Sequence, residues 1–298
     1  MPMNEDEPLQ VANLPELRDP VLLAAFSGWN DASQVATHAL TTLVNGWKAE
    51  RFAHIDSETF FDFTEVRPAI SIRPSGQRSL HWPANYFFSH QLAQNQHDVV
   101  LLVGTEPQLR WRSFCRCVLD LADRVGASAL ITLGGLLADV PHTVEPRLTG
   151  FASAPDLVPR LRRLGVRLSS YQGPTGIVGA LHDAWRTTDR AALSLWGNVP
   201  HYISATPNPQ ISLALLQRVA EVLGISLPLS DLEAEAKSFG TQIDEALVDN
   251  PEAMEYVHQL EEQLDTDETP AQDAPELIDE LEQFLRSRRP TTDEPTED

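Results

Sequence analysis

The chain has 298 residues, of which 42% are hydrophobic, and its formal net charge is −21 at pH 7. Residues 229–298 contain 22 acidic and 4 basic side chains, whereas residues 1–228 contain 21 acidic and 18 basic ones. The hydrophobic content supports a full core, but no basic surface is available to bind phosphates. No apolar run approaches the roughly 18 residues that a membrane-spanning helix needs. We therefore expect neither nucleic acid nor a membrane among the partners.

Five short apolar runs predict buried strands. They are VLLAAF (21–26), AISI (69–72), DVVLLVG (98–104), SALITLGG (128–135) and AALSLWG (191–197). Helical patterns lie between several of these runs, and most of the runs are apolar on both faces. This alternation predicts an α/β fold in which helices cover both faces of a mostly parallel sheet. Residues 51–90 predict a hairpin or meander added to that sheet, leading into a helix near 84–96.

Three helices of the body have clear sequence signals. Apolar residues keep a 3.6-residue period over 31–47 and over 108–125, and Gly126 should end the second helix. A third helix is predicted over 209–223, with Asn208 as its N-cap and a glycine as its C-terminal stop. Each of these helices should cover one face of the sheet.

The sequence changes character after Pro228. Two polar helices are predicted there, separated near Asn250-Pro251, and ELIDELEQFLRSRR predicts a short amphipathic helix with Leu277, Leu281, Phe284 and Leu285 on one face. The expected division is a flexible N-terminus (1–18), an α/β core domain (19–228), an acidic helical extension (229–266), and an acidic linker, amphipathic helix and disordered tail (267–298). Such polar helices bury too little surface alone, so they should pack on the body, a second subunit or a partner.

The two cysteines, Cys115 and Cys117, lie two positions apart on a predicted helix and therefore point in different directions. They cannot form a disulfide with each other, and no further cysteine is present to build a thiolate zinc site. The first ten residues are polar and acidic, without the pattern of a signal peptide. We expect a cytoplasmic protein with no cofactor and no metal.

A carboxylate and a guanidinium follow the strand at 98–103, in the stretch LLVGTEPQLRW (101–111). One interpretation is a ligand site that uses Glu106 and Arg110. The other is a structural corner: Glu106 lies at the start of the next helix, where the helix dipole favours an anion, and pairs with Arg110 four residues later. We favour the corner, which would hold Trp111 inward.

Other polar residues follow the remaining strands, and ligands of open α/β sheets bind at the carboxyl ends of strands. In SGWNDA, one interpretation makes Asn30 or Asp31 the N-cap of the following helix. The other makes Asp31 a polar group that binds a ligand. His142 and His201 each close a Val-Pro-His tripeptide, and such corners would let a histidine hydrogen-bond to a neighbouring loop. GPTGIVGALHDAW (173–185) resembles an anion-binding turn only loosely, since it lacks the lysine and spacing of a phosphate loop.

Three stretches, GTEPQLRW, LADVPHTVEP and VPHYISATPNP, together with GWNDA before them, resemble the actinobacterial branch of the family of the second proteasome assembly chaperone. The resemblance covers roughly residues 20 to 228, and the acidic helical extension behind them is also typical of that branch. The positions that match are Gly28, Asp31, Glu106, Pro107, Arg110, Trp111, Pro141, His142, Pro200, His201 and Tyr202.

The resemblance implies a three-layer α/β/α domain, similar in outline to nucleoside phosphorylases and hydrolases. It also implies a homo-oligomer, with a trimer as the expected form, and a partner related to the proteasome, because family members in eukaryotes and archaea help to assemble its core particle. No chemistry is established for the family, so the resemblance assigns no catalytic residue. Archaeal members recruit partners through a C-terminal motif, which the terminal DEPTED of this chain does not match.

Two hypotheses about function follow. The first is a proteasome-assembly-chaperone-like protein that acts through protein–protein contacts, with the polar loops serving as structural corners. The alternative is a small-molecule-binding protein or nucleosidase-like hydrolase, whose candidate catalytic residues are Asp31, Glu106, His142 and His201 and whose candidate ligand-binding residues are Gly28, Arg110 and Tyr202. The alternative requires the four candidate catalytic side chains to line one pocket, with a carboxylate within hydrogen-bond reach of a histidine.

Overall fold

The computed structural model describes residues 7–73, 75–93, 97–203, 207–248 and 250–266. The strands in these ranges are β1 (Leu9–Val11), β2 (Val21–Ser27), β3 (Glu50–Ile55), β4 (Ala69–Ile72), β5 (Arg78–His81), β6 (Asn85–His90), β7 (Val99–Thr105), β8 (Ala129–Ala138), β9 (Leu148–Ala152), β10 (Arg167–Leu168) and β11 (Ala191–Pro200). The α-helices are α1 (Val35–Trp47), α2 (Trp111–Val125), α3 (Leu157–Arg163), α4 (Ile177–Trp185), α5 (Pro209–Leu223), α6 (Ser230–Val248) and α7 (Pro251–Thr266).

Nine strands form one sheet in the order β1-β3-β6-β7-β2-β8-β11-β9-β10. Its centre is parallel: β2 pairs with β7 along its whole length, and β8 pairs with β11 over ten residues. The strands β1, β3 and β6 extend one side in antiparallel fashion, and β9 pairs antiparallel with β11 on the other. The central strands are apolar on both faces because helices cover both faces.

Two hydrophobic cores lie on opposite faces of the sheet. On one face, α2 and α4 contribute Phe114, Leu121, Leu181 and Trp185 to a core with the even-numbered side chains of β2. On the other face, α1 and α5 pack against the odd-numbered ones. The predicted three-layer α/β/α fold is therefore confirmed. The predicted helix caps are confirmed as well: the Asn208 side chain accepts from the Ile211 N–H, and Gly126 ends α2 with a φ of 69°.

The segment between α1 and β7 differs from its prediction. AISI does not form a buried strand of the sheet: it is β4, which is exposed at all four residues and pairs with β5 in a separate two-stranded sheet. The prediction of a helix near 84–96 is also wrong for the described residues of that stretch, since residues 85–90 form the strand β6. In β6, Asn85 and Phe87 are buried and Tyr86 between them is half-buried. That alternation is typical of a strand with one buried face.

The predicted pair of polar helices after Pro228 is confirmed by α6 and α7. Phe239 and Ile243 of α6, with Val257 and Leu260 of α7, form a third hydrophobic cluster around Tyr202. Within the stretch expected to be a flexible N-terminus, β1 pairs in register with β3. The amphipathic helix expected in 267–298 lies outside the described residues, and the division into domains stays a prediction.

Cys115 and Cys117 are both free, as predicted. Burial raises the pKa of the Cys115 thiol to about 12, which keeps it protonated and unreactive at neutral pH. In the described part of the chain, no helix combines the length and the apolar character that crossing a membrane requires.

Candidate functional site

The carboxyl ends of the four central strands meet at one edge of the sheet, because β7, β2, β8 and β11 are all parallel. We call this edge the apical edge. Asp31 follows β2 and Glu106 follows β7, while His142 and His201 follow β8 and β11. The apical edge is thus where the sequence predicted polar groups to collect, and the groups there fall into two separate networks.

Glu106 is the centre of the first network. Its Oε1 accepts hydrogen bonds from Asn30 Nδ2 and from the Ile177 backbone N–H, both at 2.7 Å. Its Oε2 accepts from the Trp29 backbone N–H at 3.3 Å. Because Ile177 is the first residue of α4, the carboxylate occupies a helix N-terminus, where unpaired N–H groups and the helix dipole both favour an anion.

The predicted ion pair between Glu106 and Arg110 is wrong. Arg110 is exposed and makes no side-chain hydrogen bond or ion pair with any described residue. Two features separate the side chains: α2 begins only at Trp111, and Arg110 adopts a left-handed φ of 54° in the turn before it. Glu106 therefore stabilises α4, distant in sequence, instead of the helix that follows it. Trp111 is held differently, by donating from Nε1 to the Pro107 carbonyl.

Two glycines make room for this carboxylate. A Cβ on Gly176 would lie 2.4 Å from Asn30 Oδ1 and 2.6 Å from Glu106 Oε1, so no other residue fits without displacing the network. Gly28 has a φ of 127°, and a Cβ there would lie 3.2 Å from the Cβ of Glu106. The turn that resembled an anion-binding loop therefore does receive an anion, and that anion is the side chain of Glu106.

Asp31 is also engaged at a helix N-terminus. Its Oδ1 accepts from the Ala36 backbone N–H at 2.7 Å, and its Oδ2 accepts from the Thr37 hydroxyl. A short 3₁₀ turn separates Asp31 from α1, so the cap reaches across that turn. Burial raises the pKa of Asp31, and the hydrogen bonds oppose that rise. Asp31 thus accepts hydrogen bonds from the first turn of α1, as a capping residue would, although the residue at the N-cap position of α1 is Gln34.

The second network contains the two Val-Pro-His corners. The Tyr202 hydroxyl accepts from the backbone N–H of His142 at 2.9 Å and lies 2.7 Å from its Nδ1. In the tautomer with its proton on Nε2, the imidazole accepts from this hydroxyl at Nδ1. Nε2 faces Asp244 Oδ1 of α6 at 3.5 Å. The His142 side chain is only 2% exposed, and this burial lowers its pKa.

His201 joins the same network from β11. Its Nδ1 lies 3.1 Å from Asp139 Oδ1 at the end of β8, and its Nε2 lies 3.3 Å from the Tyr256 hydroxyl on α7. The rings of His201, Tyr202 and Tyr256 pack edge to face, with centroids 5.7 to 6.2 Å apart. The two corners thus bind the helical extension to the sheet. The sequence predicted that these histidines would contact a loop, but not that α6 and α7 would supply Asp244 and Tyr256.

The four candidate catalytic residues do not converge. Among the described residues, neither Asp31 nor Glu106 contacts His142 or His201. A cavity of about 10 Å³ next to His142, room for about one water molecule, is lined by none of the other three. No group of three or more His, Cys, Asp or Glu side chains in the described ranges is arranged to hold a metal ion. The geometry therefore does not provide the single pocket that the hydrolase alternative requires.

Large apolar side chains are exposed around the Glu106 network. Trp29 is 66% exposed and Tyr171 is 67% exposed, and Leu109 and Leu137 are also exposed at this edge. We call these four residues the apical patch. The Trp29 N–H bonds to Glu106, and the Tyr171 hydroxyl donates to the Pro174 carbonyl in the turn that leads to α4. The Glu106 network thus holds the backbone of Trp29 and the first residue of α4, which lies six residues after Tyr171.

Comparison with known proteins gives a consistent result. The sequence profile of the PAC2 family matches residues 25–247, so the match extends beyond the predicted core into α6. A PAC2 family protein of Streptomyces avermitilis is 40% identical, with a TM-score of 0.73 over 80% of this chain and 100% of that one. A proteasome-assembly chaperone homologue of Mycobacterium tuberculosis is 38% identical, with a TM-score of 0.71 over 80% and 99%.

A more distant likeness shows the fold alone. An archaeal proteasome activator of Pyrococcus furiosus is 20% identical and has a TM-score of 0.64 over 80% of this chain and 97% of that one. Among curated proteins, none matches this sequence significantly. The profile match over most of the chain, and the two bacterial structures that it resembles along almost their whole length, show that this chain belongs to the PAC2 family.

Proposed function

We propose that this protein is a proteasome-assembly-chaperone-like protein that acts by binding a proteasome-related protein rather than by catalysis. The similar protein of M. tuberculosis is described as a proteasome-assembly chaperone homologue, which supports a partner of this kind. The resemblance seen in the sequence further supports a homo-oligomer, with three copies as the expected form, working in the cytoplasm.

The observation that supports this proposal best is the apical edge itself. Glu106 and Asp31 bond to helix N-termini and the two histidines contact the helical extension, while Trp29 and Tyr171 face solvent. Tryptophan and tyrosine are enriched among the residues that dominate the free energy of protein–protein binding. The edge is therefore better suited to contact a protein surface than to bind a substrate.

A reconstitution experiment tests the proposal. The full-length protein is mixed with purified core-particle subunits of the proteasome from the same organism, and both binding and the rate of core-particle assembly are measured. We expect binding by the wild type and at least tenfold weaker binding by Trp29→Ala/Tyr171→Ala, since each anchor contributes on the order of 1–2 kcal/mol.

The matched control is Leu14→Ala, which removes an exposed apolar side chain near Arg18, at the opposite edge of the sheet. It should bind like the wild type. Wild-type protein that neither binds the subunits nor changes their assembly would overturn the proposed function. Equal binding by the double variant would overturn the assignment to the apical patch.

A further inference from the structure

The hairpin of β4 and β5 has an apolar face that nothing in the described chain covers. Ile70 lies opposite Leu80 in the register, and Ile72 lies opposite Arg78, so these side chains share one face. Ile70, Ile72, Leu80 and the adjacent Trp82 are 49 to 66% exposed. An isolated two-stranded hairpin is at best marginally stable in water, and a contiguous exposed apolar face of this kind marks an interaction site.

The hairpin also differs from the rest of the chain in charge. Residues 66–97 contain Arg67, Arg73 and Arg78 and no aspartate or glutamate, in a chain with a net charge of −21. All three arginines are exposed, and none of their guanidinium groups forms a hydrogen bond or ion pair with another described residue. We call residues 67–82 the basic hairpin. Its apolar face, bordered by unpaired guanidinium groups, fits an acidic amphipathic segment.

The chain itself contains such a segment. Residues 267–285 include seven acidic side chains and no lysine or arginine. In residues 276–285, Leu277, Leu281, Phe284 and Leu285 recur at the spacing of one helix face. This segment follows α7 and lies outside the described residues. Its pattern therefore complements the basic hairpin in both charge and hydrophobicity.

The distance along the chain permits this contact. Tyr256 of α7 packs against His201 after β11, and Trp82 lies just before Asn85, which pairs with Gly104 near the carboxyl end of β7. Both positions are at the apical edge. Because β7 and β11 are three strands apart, they are separated by roughly 14 Å, and α7 continues for ten residues, about 15 Å, beyond Tyr256. The nine residues 267–275 can span about 30 Å when extended.

We propose that residues 276–285 dock in cis on the basic hairpin as an amphipathic helix, which covers Ile70, Ile72, Leu80 and Trp82 and pairs its carboxylates with the arginines. The contact fixes a hairpin whose Trp82 packs against Phe63 but whose Ile70, Ile72 and Leu80 are exposed in the described structure.

Hydrogen–deuterium exchange of the full-length protein tests this contact. The variant Leu281→Asp/Phe284→Asp removes the apolar face of the segment without touching the folded body. We expect peptides covering 69–81 to exchange at least tenfold faster in this variant, with α5 unchanged. Arg73→Glu/Arg78→Glu should accelerate exchange in peptides covering 276–285, and 1 M salt should have a similar effect on the wild type.

The matched control is Arg162→Glu/Arg163→Glu, which reverses two exposed arginines of α3 and should leave both regions unchanged. Three results would overturn the proposal. Exchange at 69–81 that does not respond to Leu281→Asp/Phe284→Asp excludes the docked segment. Faster exchange in residues 276–285 only in the α3 variant would show that this segment docks on another surface. Protection that disappears on tenfold dilution assigns the contact to a second copy of the chain.

Discussion

The two networks at the apical edge use similar residue types for different purposes. Glu106 stays within the α/β layers: its carboxylate joins the turn after β2 to the N-terminus of α4. His142 and His201 reach outward, since their contacts through Tyr202, Asp244 and Tyr256 hold α6 and α7 on the sheet. The Glu106 network connects elements within the α/β layers, and the histidine network attaches the helical extension to the sheet.

The difference follows from what each strand end meets. After β7 the nearest unpaired backbone groups belong to α4, and a carboxylate is the side chain that a helix N-terminus stabilises. After β8 and β11 the neighbours are the sides of helices, which offer side chains instead of free N–H groups. Imidazole and phenol groups suit that setting because each combines a ring for packing with a polar atom for a hydrogen bond. Residue types that look catalytic in a sequence can thus be specified by the ends and sides of helices.

The largest expected effect is that of Glu106→Ala. The change leaves Asn30 Nδ2 and the Ile177 N–H without their acceptor, at a cost of about 3 kcal/mol in the free energy of unfolding. In a chain of 298 residues that corresponds to a melting temperature lower by about 5 °C. Thermal denaturation followed by circular dichroism measures it, with Glu106→Gln, which keeps one acceptor oxygen, as the milder control. An unchanged melting temperature would show that the network does not stabilise the core.

A smaller effect is expected for Tyr202→Phe. The ring and its packing remain, but the His142 N–H and Nδ1 lose their buried partner, which costs about 1–2 kcal/mol. Chemical denaturation measures this loss. The matched control is Tyr256→Phe, which removes a longer and more exposed hydrogen bond of the same network and should cost less. If both variants lose the same free energy of unfolding, Tyr202 is not the central residue of the second network.

The smallest effect is a dependence on pH. Burial lowers the pKa of His142 in the folded protein, although the nearby carboxylates of Asp244 and Glu261 oppose that change. The unfolded chain therefore binds the proton more tightly. Stability that is present above about pH 6.5 should fall as the pH drops below that value toward the folded pKa.

This dependence is measured as the free energy of unfolding between pH 7.5 and 5.5. It should be weaker in His142→Gln, which keeps a hydrogen-bonding side chain but does not titrate. His54, whose pKa is also lowered by burial, lies on β3 and makes no described contact with either network, so His54→Gln is the control at another site. A steeper dependence in His142→Gln than in the wild type would contradict the assignment.

Much of the fold could be predicted because its signals are local. The strands β2, β7, β8 and β11 and the helices α1, α2 and α5 were each marked by an apolar run or period with caps at its ends. The run at 69–72 misled because a four-residue apolar run has the same sequence signature whether it is buried in a sheet or exposed on a hairpin. Only the pairing partner, β5, distinguishes the two.

The site could be predicted only in part, because its contacts are distant in sequence. The place where polar groups gather followed from the strand ends, and the position of Asp31 just before a helical segment followed from its neighbours, although the 3₁₀ turn between them did not. The partner of Glu106 could not be predicted in this way. Arg110 lies four residues away and fitted a local ion pair, whereas the actual donor, the Ile177 N–H, lies 71 residues away. Likewise, the period of α7 predicts a helix but does not show that its Tyr256 meets His201.

The most direct test of the account is hydrogen–deuterium exchange of Glu106→Ala and Tyr202→Phe, compared with wild type in one experiment. The two networks should respond separately. Glu106→Ala should accelerate exchange at 27–31 and 176–181 and leave α6 and α7 unchanged, while Tyr202→Phe should accelerate exchange in α6 and α7 and leave 176–181 unchanged. If both variants loosen the same segments, the apical edge is one cooperative unit and the division of roles drawn here is wrong.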